Sequence, residues 1–278
     1  MLAVFFDIDN CLYSASSSIS QLMMKRIRTY FIELGHTEEE AERLHSAYYR
    51  QYGLAIRGLV KHHEIDPMDF NERCDASLPL EDLLKPDPAI RQLLMDIDRS
   101  KVKVWAATNA YISHAERVLK ILNLRDLIED IVFCDYQDPA FTCKPEPEYY
   151  EMAMTKIGLS PDDPADRAKC FFIDDSLSNV RAAKTIGWGS CVWFREQLSP
   201  EARAHLVSGD EAATQSALRA PSGSYAEQLK QSLEAGDGAE TEGVDAVISN
   251  LHQLRNIWPQ IFKDPSNSNT TEREPKEG

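Results

Sequence analysis

Four polar clusters stand at the ends of four apolar runs in this sequence: Asp7 with Asp9, Thr108-Asn109, Lys144-Pro145, and Asp174-Asp175. Carboxylates brought close together repel one another, so a hard cation is expected among them. Mg²⁺ suits one to three carboxylate oxygens completed by waters and a phosphate oxygen. Beside such a cation, Asp7 has the chemistry of a nucleophile towards phosphorus. Asp9, two residues on along an extended chain, points the same way and suits a general acid and base. The Thr108 hydroxyl and Asn109 amide would hold phosphoryl oxygens, and Lys144 would supply fixed positive charge. Taken singly, each cluster is ordinary: an Asp at a strand end commonly closes a turn, and a Lys before Pro is a surface charge. Their order, each after an apolar run, carries the reading.

The elements that must position these groups are legible in the hydrophobic pattern. Leu2–Phe6 is a continuous apolar run that fits a strand buried on both faces. Three similar runs follow at Val102–Ala107, 131–134 and 170–173, each trailed by a helical pattern. Short runs at 191–194 and 246–249 would complete the sheet. Strands alternating with helices predict an α/β fold, a Rossmann-like parallel sheet with helices on both faces and its ligand crevice at the carboxyl edge. The block 13–85 differs, with apolar residues at helical spacing (Ile19, Leu22, Met23, Ile27, Phe31) and no strand run. Thr37 with Glu40 reads as a capping box, and Asp66-Pro67 and Asp87-Pro88 read as helix starts. The predicted layout is a core of 1–12 and 86–198 completed by 244–263, with an inserted helical block 13–85. The small, acidic, glycine-containing stretch 199–243 is expected to be a disordered loop, and 264–278 a disordered tail.

Composition narrows the partners. The chain carries 45 acidic against 30 basic residues, a formal charge of -15, which repels nucleic acid and anionic membranes. No run approaches a membrane span, and the N-terminus lacks the pattern of a signal peptide. Six scattered cysteines without a CxxC pair read as reduced, mostly buried thiols. Together these features predict a cytoplasmic protein, with a nuclear location also compatible, that binds neither nucleic acid nor membrane.

The four clusters resemble the four ordered motifs of the haloacid-dehalogenase superfamily: FFDIDNCLY, the Thr-Asn of WAATNAY, CKPEPEYY and FFIDDSLSNV. The resemblance implies Asp7 as the nucleophile, Asp9 as acid and base, Thr108 as the phosphate-binding hydroxyl and Lys144 as the stabilising lysine. It also implies that Mg²⁺ is held by the Asp7 carboxylate, the Asp9 backbone carbonyl and Asp175, with Asp174 outer-sphere. The helical block corresponds to the family's cap over the site. One departure is that Asn10 and Cys11 stand where the family usually has Gly and then Thr or Val. The spelling DIDNCLY, with YYRQYGLAIRGL and SLPLEDLLKPD, is instead similar to the fungal and plant pyrimidine 5′-nucleotidase branch. That implies hydrolysis of a nucleoside monophosphate such as UMP or CMP through an aspartyl-phosphate. Tyr48, Tyr49, Tyr52 and Arg57 are candidates for contact with its base, and Asn10 is a candidate for reaching the crevice or for closing a turn. Another small ester (nicotinamide mononucleotide, pyridoxal phosphate or a sugar phosphate) and a catalytically idle scaffold are the competing readings.

Overall fold

The computed structural model describes residues 1–196 and 242–264. The stretch 199–243, apart from its last two residues, and the tail beyond Asp264 lie outside them. After strand β1 (Leu2–Phe6) come helices α1 (Ile19–Glu33), α2 (Glu38–Tyr52), α3 (Ala55–His63), α4 (Pro67–Arg73) and α5 (Leu80–Leu83). Next are α6 (Pro88–Met95), β2 (Val102–Ala107), α7 (Ile112–Ile121), β3 (Ile131–Val132) and α8 (Pro147–Ile157). The described chain continues with α9 (Pro164–Arg167), β4 (Cys170–Asp174), α10 (Leu177–Ile186), β5 (Ser190–Phe194) and β6 (Ala246–Ile248).

The strands form one six-stranded sheet in the order β3-β2-β1-β4-β5-β6, and every pairing is parallel. The chain therefore builds outward from β1 to one side and then returns to build the other, so strand order reverses at β1. A crevice opens beyond the carboxyl ends of the strands at such a point. Asp7 stands at that position, its N–H donating to Ile173 O at 2.9 Å.

Alternation along β1 explains why its apolar run is unbroken. Val4 and Phe6 pack with Val102, Val104 and Ile173 on one face. Ala3 and Phe5 pack with Trp105, Phe172 and Trp188 on the other. Helices cover both faces, α7 joining the first cluster through Val118 and Leu119 and α8 the second through Tyr149 and Tyr150. The third strand is shorter than its apolar run: pairing stops at Val132, and Cys134 N donates instead to Ala110 O.

The five helices α1–α5 between β1 and the return through α6 form the block anticipated from sequence. The Thr37 Oγ1 accepts from Glu40 N at 3.3 Å, while Glu40 Oε2 accepts from Thr37 N at 3.0 Å. Asp66 and Asp87 each accept from the amide two residues on, ahead of a first-turn proline. All six cysteines are free and buried. No helix among the described residues is long and apolar enough to cross a membrane.

Candidate active site

Lys144 lies at the centre of the carboxyl edge and is 2% exposed. Its Nζ donates to Asp7 Oδ1 at 2.6 Å, Asp174 Oδ2 at 2.7 Å and Ala107 O at 2.7 Å. An ammonium has three protons, and here each has an acceptor. Burial would pull this ammonium down, but the two carboxylates outweigh it and hold it well above the ordinary lysine value. Asn109 positions the same segment, with its Oδ1 accepting from Lys144 N at 2.8 Å and its Nδ2 donating to Lys144 O at 2.9 Å. The Asn109 amide is thus occupied as a clamp on the Lys144 backbone.

Asp174 ends β4 fully buried, and its Oδ1 also accepts from Ser176 N at 2.8 Å and Asn179 Nδ2 at 3.0 Å. Asp175 accepts from Asn10 Nδ2 at 3.3 Å. Asn10 adopts φ 57°, a left-handed conformation that Asn tolerates better than most residues. Burial, then repulsion from Asp174, lifts the Asp175 carboxyl to about 7. Burial likewise raises Asp7, against the pull of Lys144. Asp7, Asp174 and Asp175 each offer a ligand oxygen, and these atoms lie within 4.8 Å of one another. With Asp9 nearby, one lysine faces four carboxylates. This all-oxygen, under-neutralised donor set fits a hard divalent cation such as Mg²⁺.

Asp9 is wired differently from Asp7. Its Oδ1 accepts from Tyr13 Oη at 2.8 Å and is paired with His114 Nε2 at 2.8 Å. Among the described residues, its Oδ2 accepts only a long bond from Thr108 Oγ1, 3.4 Å. Burial pushes the Asp9 carboxyl up, but His114 and then Tyr13 outweigh it and hold it below the usual range. Burial also opposes the charge on His114, and Asp9 wins there too, raising the imidazole. Thr108 is almost sealed, and its Oγ1 accepts from Ala110 N at 3.0 Å.

These groups border a cavity of about 260 Å³ between the sheet edge and the helical block. Asp7, Asp9, Thr108, Asn109, Lys144 and Asp175 line it, whereas Asp174 is buried behind Lys144. Of the five candidates for contact with a leaving group, Asn10 and Tyr49 line the cavity. The other three are engaged elsewhere. Tyr48 Oη pairs with His63 Nε2 at 2.8 Å, and Tyr52 Oη pairs with His62 Nε2 at 2.7 Å. Arg57 forms an ion pair with Glu146 and donates to Tyr52 O at 2.9 Å, tying α3 to the loop that carries Lys144. Helical spacing assigned these side chains to a face; it did not say which neighbour that face meets.

Tyr13, His114 and Asp75 also line the cavity and were not singled out from sequence. A signal existed for His114: it is the polar residue in the buried face of α7 formed with Ala115, Val118 and Leu119.

A family model described as haloacid dehalogenase-like hydrolase matches residues 1–187 of this chain. The chain belongs to that family. It is 41% identical over 215 residues to Phosphate metabolism protein 8 of Saccharomyces cerevisiae. That match covers 74% of this chain and 65% of the yeast protein, so less than two thirds of the relative's length is spanned. Phosphorylated carbohydrates phosphatase of Thermotoga maritima is 27% identical over 191 residues, 67% of this chain and 82% of that protein. Among solved structures, L-2-haloacid dehalogenase from Xanthobacter autotrophicus superimposes with a TM-score of 0.52 at 19% identity, covering 92% of this chain and 98% of that one. At that identity the likeness concerns the fold alone.

Proposed function

We propose that this hydrolase is a Mg²⁺-dependent phosphomonoester hydrolase acting through an aspartyl-phosphate on Asp7. The observation that carries the reading is the convergence of Asp7, Asp174 and Asp175 on one small volume beside a buried, fully bonded Lys144. An Asp7 carboxylate oxygen forms the new bond to phosphorus as the bond to the leaving oxygen breaks. Asp9 passes that oxygen a proton drawn from its imidazolium partner His114, then takes one from the water that cleaves the aspartyl-phosphate and frees inorganic phosphate. Since Tyr13 and His114 occupy Oδ1, Oδ2 is the Asp9 oxygen left to exchange the proton. Lys144 holds Asp7 in place and opposes charge on the phosphoryl group, and Thr108 offers it a hydroxyl. Asp7, Asp175 and the Asp9 backbone carbonyl would hold Mg²⁺, which supplies charge neutralisation between nucleophile and phosphoryl oxygens when bound.

For the substrate, the motif spellings favour a pyrimidine nucleoside 5′-monophosphate, UMP or CMP, with Asn10 and Tyr49 as the retained contacts for the leaving group. The cavity volume supports a small metabolite rather than a macromolecule. The name of the Thermotoga relative favours a second reading, a phosphorylated carbohydrate. An idle scaffold is disfavoured because nucleophile, acid, lysine and metal-ligand oxygens are all in place. A cytoplasmic or nuclear location belongs to the same proposal, supported by six free thiols. The test is phosphate release with Mg²⁺ across UMP, CMP, AMP, GMP, nicotinamide mononucleotide, pyridoxal phosphate and sugar phosphates. Preference for UMP and CMP is expected. A sugar phosphate in the lead would transfer the assignment to the second reading.

A further inference from the structure

The cavity contains a carboxylate that the mechanism above leaves unused. Asp75 is 3% exposed and lines the cavity together with Asp7 and Asp9. Its Oδ2 is buried without a hydrogen-bond partner among the described residues. The Nδ1 of His114, another lining residue, is likewise buried and unpartnered, while its Nε2 is paired with Asp9. Leaving such atoms unpaired costs stability, so two such side chains lining one cavity ask for a reason other than folding. Burial lifts the Asp75 carboxyl to about 6 even though His114 pulls it down.

Asp75 is also held in place. It follows α4 in the segment that leads back from the helical block to the core. Arg117, on the same helix as His114, donates to Ala76 O at 3.1 Å and Leu78 O at 2.9 Å, and its Nε donates to Glu81 Oε1 at 2.6 Å. The residues directly after Asp75 are therefore pinned to α7.

We propose that Asp75 is a specificity residue for the leaving group, its carboxylate accepting a hydrogen bond from a hydroxyl of the substrate's alcohol portion. The substrates are then phosphate esters of hydroxyl-bearing alcohols, such as a ribose or another sugar. This inference rests on the phosphatase reading and adds a substrate class to it. A carboxylate repels the phosphoryl group, so its partner must be a donor on the neutral part of the ester. A hydroxyl is such a donor, and an ionised carboxylate only accepts. An ester without such a donor leaves the carboxylate buried and unpaired, which is the situation in which a site discriminates strongly.

The test compares wild type, Asp75→Asn and Asp75→Ala on UMP, CMP and ribose 5-phosphate. Two references report the phosphoryl subsite without a hydroxyl: turnover of p-nitrophenyl phosphate and inhibition by inorganic phosphate. In Asp75→Ala, kcat/KM on the best hydroxylated ester is expected to fall roughly 10- to 100-fold relative to these references. Asp75→Asn, which keeps an acceptor oxygen, falls less. The thermal midpoint of either variant holds or rises, because an unpaired buried charge has been removed. Equal loss on esters and references with a lowered midpoint makes Asp75 merely structural and overturns the proposal, as does an unchanged ratio. No release by wild type from any ester sinks the phosphatase reading itself, a result distinct from both.

Discussion

Lys144 Nζ lies 2.6 Å from Asp7 Oδ1, with side chains only 2% and 7% exposed. Shielded from water, that contact orients the carboxylate and fixes positive charge beside it. Removing one partner of a buried pair leaves the other uncompensated. Lys144→Met is expected to abolish phosphate release and, in EDTA, to cost about 3–5 kcal/mol of folding stability. Chemical denaturation paired with an activity assay checks both; a variant of undiminished turnover would remove Lys144 from the mechanism.

The metal assignment predicts a thermal shift. Ligand that binds only the folded state stabilises by mass action, about 2.7 kcal/mol at a hundredfold excess over Kd. Mg²⁺ is expected to raise the melting temperature of wild type, and Asp175→Asn to blunt the shift. Equal shifts in the two proteins would place the ion elsewhere.

The Glu81–Arg117 pair, which braces the segment after Asp75, supplies a pH test remote from the metal ligands. Arg117 lowers the Glu81 carboxyl to about 2 from an ordinary 4.5. A depressed carboxylate contributes stability that is fully present above its unfolded value and lost as pH falls through its folded value. The melting-temperature gap between wild type and Glu81→Gln should therefore hold from pH 7 to about 4.5 and close towards pH 2. The gap is small, since the side chain is 60% exposed. A gap that widens on acidification would contradict the sign.

Packing of the helical block gives a purely structural prediction. A Cβ added at Gly58 would come within 2.1 Å of Tyr48 Cγ. Gly58→Ala is therefore expected to force α2 and α3 apart at a cost of about 1–3 kcal/mol, read as a lower denaturation midpoint. An unchanged midpoint would show that the Tyr48 ring yields freely.

Legibility followed from how far apart in sequence a feature is encoded. Asp7, Thr108 and Asp174 were placed from sequence because each sits at the end of an apolar strand, and a parallel sheet gathers strand ends on one edge. His114 was missed because its partner Asp9 is 105 residues away and only the fold brings them together. Asp75 was missed for a related reason: an acid after a short helix looks solvated until the helical block closes over it. Tyr48, Tyr49 and Tyr52 could not be sorted by spacing, since the presence of His62 and His63 beside two of them is a tertiary fact. The third apolar run outlasts its strand because Cys134, though buried, bonds to Ala110 O and Thr142 O instead of to the neighbouring strand.

The most direct test of the central claim is Mg²⁺-dependent phosphate release from UMP and CMP by wild type and by Asp7→Asn, with circular dichroism to verify folding. The account predicts steady turnover by wild type and none by a folded Asp7→Asn. Turnover retained in that variant would contradict Asp7 as the nucleophile and, with it, the aspartyl-phosphate mechanism.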